Sequence, residues 1–409
     1  MKLDNRYEAI TNVRIIDPDS AAVSEPTTIR FSADRICSIG GPAPADQTGV
    51  LDAEGRFAVP GLIDCHVHVL AETANLGALG DQSPSYLAVT AVNSMQDALR
   101  RGFTTLRDAG GADFGLAQAA EEGLFTAPRL FYGGKAISQT GGHADMRAPG
   151  ASVMDTHQCC PHIGVVCDGV SEVRRAARTQ LRTGADHIKL MLSGGVASPT
   201  DRVDSTQFSD DEIRAAVEEA EAANRYALGH AYTAKAINRG LRLGVRSIEH
   251  GNLLDEESVR LFREHNAFLV PTLVTYERLQ ADGAANGLPQ ESQQKVENVL
   301  YAGLDALQLA DRGGVDIAYG SDLLGGMRGW QSYEFAIRAK VQDAPSVLRS
   351  ATSTAAKLLQ KQGELGTIAE GAHADLLLMG ANPLEDITTL SAPEQTIDHV
   401  FSRGGLLQD

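Results

Sequence analysis

The chain has 409 residues, 43 % of them hydrophobic. That is enough for a large core and more than one ordinary domain, and a barrel of about 250–300 residues with a small accessory domain would account for it. A formal net charge of −17 excludes the basic footprint that nucleic-acid binding requires, so no nucleic-acid partner is expected.

No run of about 18 apolar residues occurs, and Met1–Glu8 lacks the apolar segment of a signal peptide. The expectation is a cytoplasmic protein with no membrane partner, unless a leader has been removed. Residues 6–58 read as short strands, among them Ala9–Asp17 and Thr27–Ser32, broken by Pro, Gly and Asp turns. A buried-strand pattern then runs from Phe57 into His66 and His68. Residues two apart on a strand face one side, so both imidazoles can reach one metal ion, although His-x-His alone is a weak signal. Tyr86 to Arg101 follows a helical pattern that Gly102 ends.

The longest irregular stretch spans residues 138–169 and contains Gly141, Gly142, Pro149, Gly150 and Pro161. Loops of that length in compact barrels are usually functional, which predicts a wall of the substrate pocket. Cys159 and Cys160 lie inside it and invite a structural zinc reading. Adjacent cysteines cannot easily both aim at one tetrahedral ion, however, and the five cysteines form an odd set without a disulfide framework. A loop with free thiols is expected.

Lys189 sits in the strand-like Asp186-His-Ile-Lys-Leu-Met. Burial would lower its pKa and leave a neutral amine able to add carbon dioxide, giving a carbamate that can bridge two cations. The plainer alternative is a lysine that pairs with a carboxylate or extends out of the barrel. Ser209-Asp-Asp-Glu is a capping box before a helix whose inner face carries Ile213, Val217 and Ala220. His230 and His250 each end a short strand, with one helical stretch between them, as a βα unit requires. Asp322 follows the apolar run from Val315, where an aspartate after Gly-Ser also fits a turn or a helix cap. From Gly363 the strand-and-turn texture returns, in Ala374–Met379 and Thr396–Phe401.

The words Val59-Pro-Gly-Leu-Ile-Asp-Cys-His-Val-His, Gly102-Phe-Thr-Thr-Leu-Arg-Asp, Gly184-Ala-Asp-His-Ile-Lys, Ser247-Ile-Glu-His-Gly, Tyr319-Gly-Ser-Asp and Gly371-Ala-His-Ala-Asp-Leu-Leu-Leu-Met resemble the amidohydrolase superfamily over nearly the whole chain. Gly141-Gly-His-Ala-Asp and His230-Ala-Tyr resemble its metal-dependent Xaa-Pro dipeptidase (prolidase) and carboxypeptidase branch. The resemblance implies an α/β fold, a (β/α)8 TIM barrel over residues 59–362, with a small β-sandwich built from residues 1–58 and 363–409. It also implies two divalent metal ions, most simply Zn2+. One would be held by His66, His68 and Asp322, the other by His230 and His250, with N-carboxylated Lys189 between them.

Asp322 is then the proton acceptor and donor, and His143 and Tyr232 polarise the carbonyl and steady the oxyanion. Xaa-Pro dipeptides or related N-acyl amino acids, cleaved through a metal-bridging hydroxide, are the implied small-molecule substrates, and a homo-oligomer is compatible with the reading. Another amide such as ochratoxin A, or a lactone, would use the same metal core. A non-catalytic scaffold accords poorly with a complete ligand set. Arg147 and Arg328 are candidates for anchoring a substrate carboxylate.

Overall fold

The computed structural model describes residues 1–408 apart from 43, 45–47, 148–149, 152–161 and 199–200, and apart from the side chain of residue 298. Cys159 and Cys160 lie outside the described residues. The other three cysteines are free thiols, Cys37 exposed and Cys65 and Cys167 buried. Among the described residues no helix is long and apolar enough to cross a membrane.

The centre of the molecule is a TIM-barrel-like α/β arrangement of parallel strands. One run orders Arg129–Tyr132, Phe103–Asp108 and Leu62–Val67. A second orders Gly164–Val166, Ala136–Ser138, His187–Met191, Tyr226–Thr233, Ser247–Leu253, Phe268–Val270 and Asp316–Ile317. Phe103–Asp108 and His187–Met191 are buried at every residue, the pattern of strands covered on both faces. The strand Gly164–Val166 pairs with Ala136–Ser138, so the stretch read as irregular from its Gly and Pro content carries one short strand near its end.

Helices cover these strands, and their ends follow local chemistry. Ser209 accepts from the Glu212 backbone N–H while the Glu212 carboxylate reaches back to Ser209, a capping box for Asp210–Ala222. That helix buries Ile213, Val217 and Ala220, as their spacing predicts. Pro84 opens the helix Pro84–Arg100 at its first turn, where a missing N–H costs nothing.

The two chain ends pair with each other in a ten-stranded sheet beside the barrel-like core. Lys2–Asp4 runs antiparallel to Gly405–Gln408, and Leu376–Met379 pairs antiparallel with Phe57–Pro60. Phe57–Pro60 thus crosses the boundary expected at residue 58 and joins the terminal sheet, while the next strand, Leu62–Val67, enters the core. Arg129 in the core reaches Asp375 at 3.0 Å, an ion pair tying the two parts together.

Gly102 connects helix, core and terminal sheet. It follows the helix Pro84–Arg100 with φ +88, and a Cβ there would lie 2.9 Å from Leu377 Cδ1 and 3.0 Å from Ile397 Cδ1. Its carbonyl accepts from the Leu62 N–H at 3.0 Å. Gly102→Ala should therefore lower stability by about 1–3 kcal/mol, from left-handed backbone and crowding together. Urea unfolding of the two proteins checks this, with an unchanged midpoint as the contrary result.

Candidate active site

The strand ends and adjoining loops bring all six residues singled out as ligands, together with His143 and Tyr232, into one cavity. His66 lies within Leu62–Val67 and His68 just beyond it, His230 within Tyr226–Thr233 and His250 within Ser247–Leu253. Parallel register sets Ala231 beside His250, which leaves the His230 and His250 rings 4.6 Å apart. Lys189 sits inside His187–Met191 and is 2 % exposed.

Each of the four rings spends one nitrogen on an outer partner. His66 Nδ1 meets Glu249 Oε2 at 2.6 Å, and His68 Nδ1 donates to the Gly110 carbonyl at 2.6 Å. His230 Nε2 donates to the Gly194 carbonyl at 3.1 Å, and His250 Nδ1 meets Thr272 Oγ1 at 2.8 Å. His250 Nδ1 also stands 3.9 Å from Asp322 Oδ2. His66 Nε2 and His68 Nε2 stand 3.5 and 3.4 Å from Asp322 Oδ1.

Burial pushes His66, His230 and His250 well below the usual imidazole range, and lowers His68 to about 4. Burial likewise lowers Lys189 and raises Asp322. Neutral imidazoles with a bare inward nitrogen are what divalent cations require. His66, His68 and Asp322 bring three ligand atoms within 4.8 Å of one another, so this donor set fits a metal ion.

Several functional partners carry no motif of their own. Glu249 is fully buried and accepts two bonds from Arg107 Nη2, both at 2.9 Å, and one from Ser247 Oγ at 2.7 Å. Charged residues inside apolar strands were the available signal for Arg107 and Glu249. Tyr276 donates its hydroxyl proton to Tyr232 at 3.1 Å, and Asp201 lies behind His143. Neither stood out in sequence.

Arg147 and Arg328 do not line the cavity. Arg147 Nε donates to Asp145 Oδ1 at 2.7 Å, and Arg328 Nη2 donates to the Ala71 carbonyl at 2.5 Å and pairs with Glu72 at 3.1 Å. From the long stretch, His143, Met146 and Ile163 do line it, so that segment forms a pocket wall as expected.

A model of the amidohydrolase family matches residues 57–407. Ochratoxinase from Aspergillus niger is 33 % identical over 367 residues, covering 86 % of this chain and 75 % of the relative. Among solved structures, a prolidase complexed with N-methylphosphonate-L-proline superposes with a TM-score of 0.95 at 46 % identity, covering 98 % of this chain and 99 % of that one. A Xaa-Pro dipeptidase with bound methionine in its active site gives 0.86 at 30 %, covering 98 % and 99 %.

Removing the charge of Glu249 would leave Arg107 buried and unpaired. Glu249→Gln should cost about 3–5 kcal/mol of stability in metal-free protein. Denaturant unfolding in the presence of a chelator measures it, and a loss below about 1 kcal/mol would show that the pair is dispensable.

Proposed function

The chain belongs to the amidohydrolase family, and we propose that it is a binuclear metal-dependent amide hydrolase acting on Xaa-Pro dipeptides or related N-acyl amino acids. The observation that carries this reading is the set of four buried rings gathered with Lys189 and Asp322 in one cavity, each with one nitrogen engaged by a partner and the Nε2 atoms of His66 and His68 turned toward Asp322. Similarity to the prolidase complex, at 46 % identity, supports the choice of substrate.

In this reading His66, His68 and Asp322 would hold one divalent ion and His230 and His250 a second. Lys189, if N-carboxylated, would supply anionic oxygens to the ions, and zinc would suit the imidazole donors. Such ions, when bound, lower the pKa of water and polarise a carbonyl. Asp322, whose carboxyl is raised by burial, accepts the proton of the attacking water and delivers it to the departing amine.

Tyr232 receives its hydrogen bond from Tyr276, which leaves the Tyr232 proton to be offered to the carbonyl oxygen. His143 is the second candidate for that oxygen. Leu76, Met146, Val196, Leu279 and Leu324 form the walls, which exclude water from the reacting amide and favour an apolar acyl side.

The same reading takes the parallel strands as a closed (β/α)8 barrel over residues 59–362, with a β-sandwich of residues 1–58 and 363–409. Its support is hydrogen bonding across the gaps between the two runs. Cys65 N–H donates to the Tyr319 carbonyl and Asp186 N–H to the Tyr132 carbonyl, both at 2.8 Å. Ochratoxin A is the second substrate reading, favoured by the 33 % identity to ochratoxinase.

Two consequences follow for experiment. Elemental analysis should find about two divalent ions per chain, and Lys189→Ala should lose most of that content together with activity. Small carboxylic acids should restore part of both, whereas a metal-replete, active variant would refute the binuclear reading. A substrate panel should show apolar Xaa-Pro dipeptides or N-acyl amino acids preferred over lactones and phosphoesters. Tenfold preference for either ester class would refute the amide assignment.

A further inference from the structure

His143 is gripped far more firmly than a residue of a glycine-rich loop needs to be. Its Nδ1 lies 2.8 Å from Ser198 Oγ and 3.6 Å from Asp201 Oδ2. Ser198 Oγ donates its single proton to Asp201 Oδ1, so it accepts from His143 Nδ1–H. The ring stacks on His230 with centroids 4.1 Å apart and planes 19° apart. Gly195 packs against the ring face, where a Cβ would lie 2.1 Å from Cε1 and 2.5 Å from either nitrogen. Only glycine fits that position. Of the ring edges, Nε2 is left for the cavity that His143 lines.

Asp201 is itself buried and braced. Gln207 Nε2 donates to its Oδ2 at 2.9 Å, while Gln207 Oε1 accepts from the His143 backbone N–H at 2.9 Å. One side chain thereby ties the carboxylate to the residue it serves. Lys295 Nζ stands 3.6 Å from Asp201 Oδ1 and donates to the carbonyls of Gly195 and Ser198 at 3.3 and 2.9 Å. A helix remote in sequence, Gln290–Leu300, thus pins the turn that holds the ring.

We propose that Asp201 is a positioning residue for His143, acting through Ser198 to hold the imidazole against His230 with its Nε2 edge toward the substrate. The arrangement resembles in logic any histidine whose outer nitrogen is oriented by a buried carboxylate, here with a hydroxyl interposed. It depends on the proposed amide hydrolysis only in giving His143 a substrate oxygen to meet. The orientation of the ring is independent of the reaction.

The test pairs crystallography with kinetics on the metal-loaded enzyme. Ser198→Ala cuts the link with little risk to the fold, because Asp201 keeps Gln207 and Lys295, and Asp201→Ala removes the carboxylate. In crystal structures of both, the His143 ring should leave its stack on His230 or split between two orientations. On a dipeptide substrate, kcat should fall about 10- to 100-fold, with KM and divalent-metal content within about twofold of wild type. In a His143→Gln background the same substitutions should cost less than about twofold more.

A ring that stays in place in both crystals overturns the proposal. So do losses that multiply with that of His143→Gln, because Asp201 would then act by another route. If wild-type protein hydrolyses no amide of the panel, the functional reading fails, and the ring position alone still decides whether Asp201 orients His143.

Discussion

The Arg107–Glu249 pair at the centre of the parallel strands is the interaction on which the site rests. Taking two charges out of water costs several kcal/mol for each ion, and only close geometry offsets it. Here Arg107 Nη2 meets both Glu249 oxygens at 2.9 Å, and its other donors reach Ser247 Oγ and the Cys65 carbonyl. The carboxylate then has a fixed position from which to hold His66 Nδ1 at 2.6 Å. That contact selects the His66 tautomer whose Nε2 faces Asp322, so a fully buried ion pair decides which ring nitrogen is available for a cation. The same bonds lock the strands Leu62–Val67, Phe103–Asp108 and Ser247–Leu253 to one another.

Around this anchor the backbone adopts conformations that side chains ordinarily avoid. His250, Thr272 and Asp322 have φ of 74, 48 and 52, and left-handed residues other than glycine cost about 1–3 kcal/mol each. Thr272, β-branched, is the least expected of them. Each is over-determined by neighbours. Thr272 Oγ1 meets His250 Nδ1 at 2.8 Å, and buried Glu334 accepts from the Val274 N–H at 2.7 Å, fixing the start of the helix Leu273–Asp282. The Asp322 N–H donates to the His66 carbonyl at 2.8 Å. The helix so placed presents Thr275, Tyr276 and Leu279 to the cavity, and Tyr276 steadies Tyr232. Backbone strain and pocket wall are therefore parts of one local construction.

This explains which features could be read from the sequence. Ala9–Asp17 and Thr27–Ser32 were legible because alternation and flanking turn residues are local signals, and both strands have those bounds. The helix after Ser209 was legible because its cap lies within four residues of its start. The residues His66, His68, Lys189, His230, His250 and Asp322 were recognisable because each sits in or after a short apolar run, where a polar side chain is conspicuous. Glu249 was not, although it adjoins His250, because its role depends on His66 and Arg107, 183 and 142 residues away. Asp201 and Tyr276 were hidden for the same reason. The strand Gly164–Val166 was missed because only its pairing with Ala136–Ser138 makes it a strand.

In the proposed reaction the cavity also constrains how a substrate carboxylate would be recognised. The two arginines that sequence offered are committed elsewhere, Arg147 to Asp145 and Arg328 to Glu72 and the Ala71 carbonyl. Lys295 is spent on Asp201 and two carbonyls. Among the described residues the cavity lining contains no arginine, and its one lysine is Lys189. Among the described lining residues an anionic group would meet the hydroxyls of Tyr232 and Thr275 rather than a guanidinium fork. Such donors are directional and neutral, so they reward correct placement of the carboxylate more than its charge. A bidentate arginine would bind many carboxylates tightly wherever they reached it. Walls of Leu, Met and Val around a few directional donors instead make shape the main criterion.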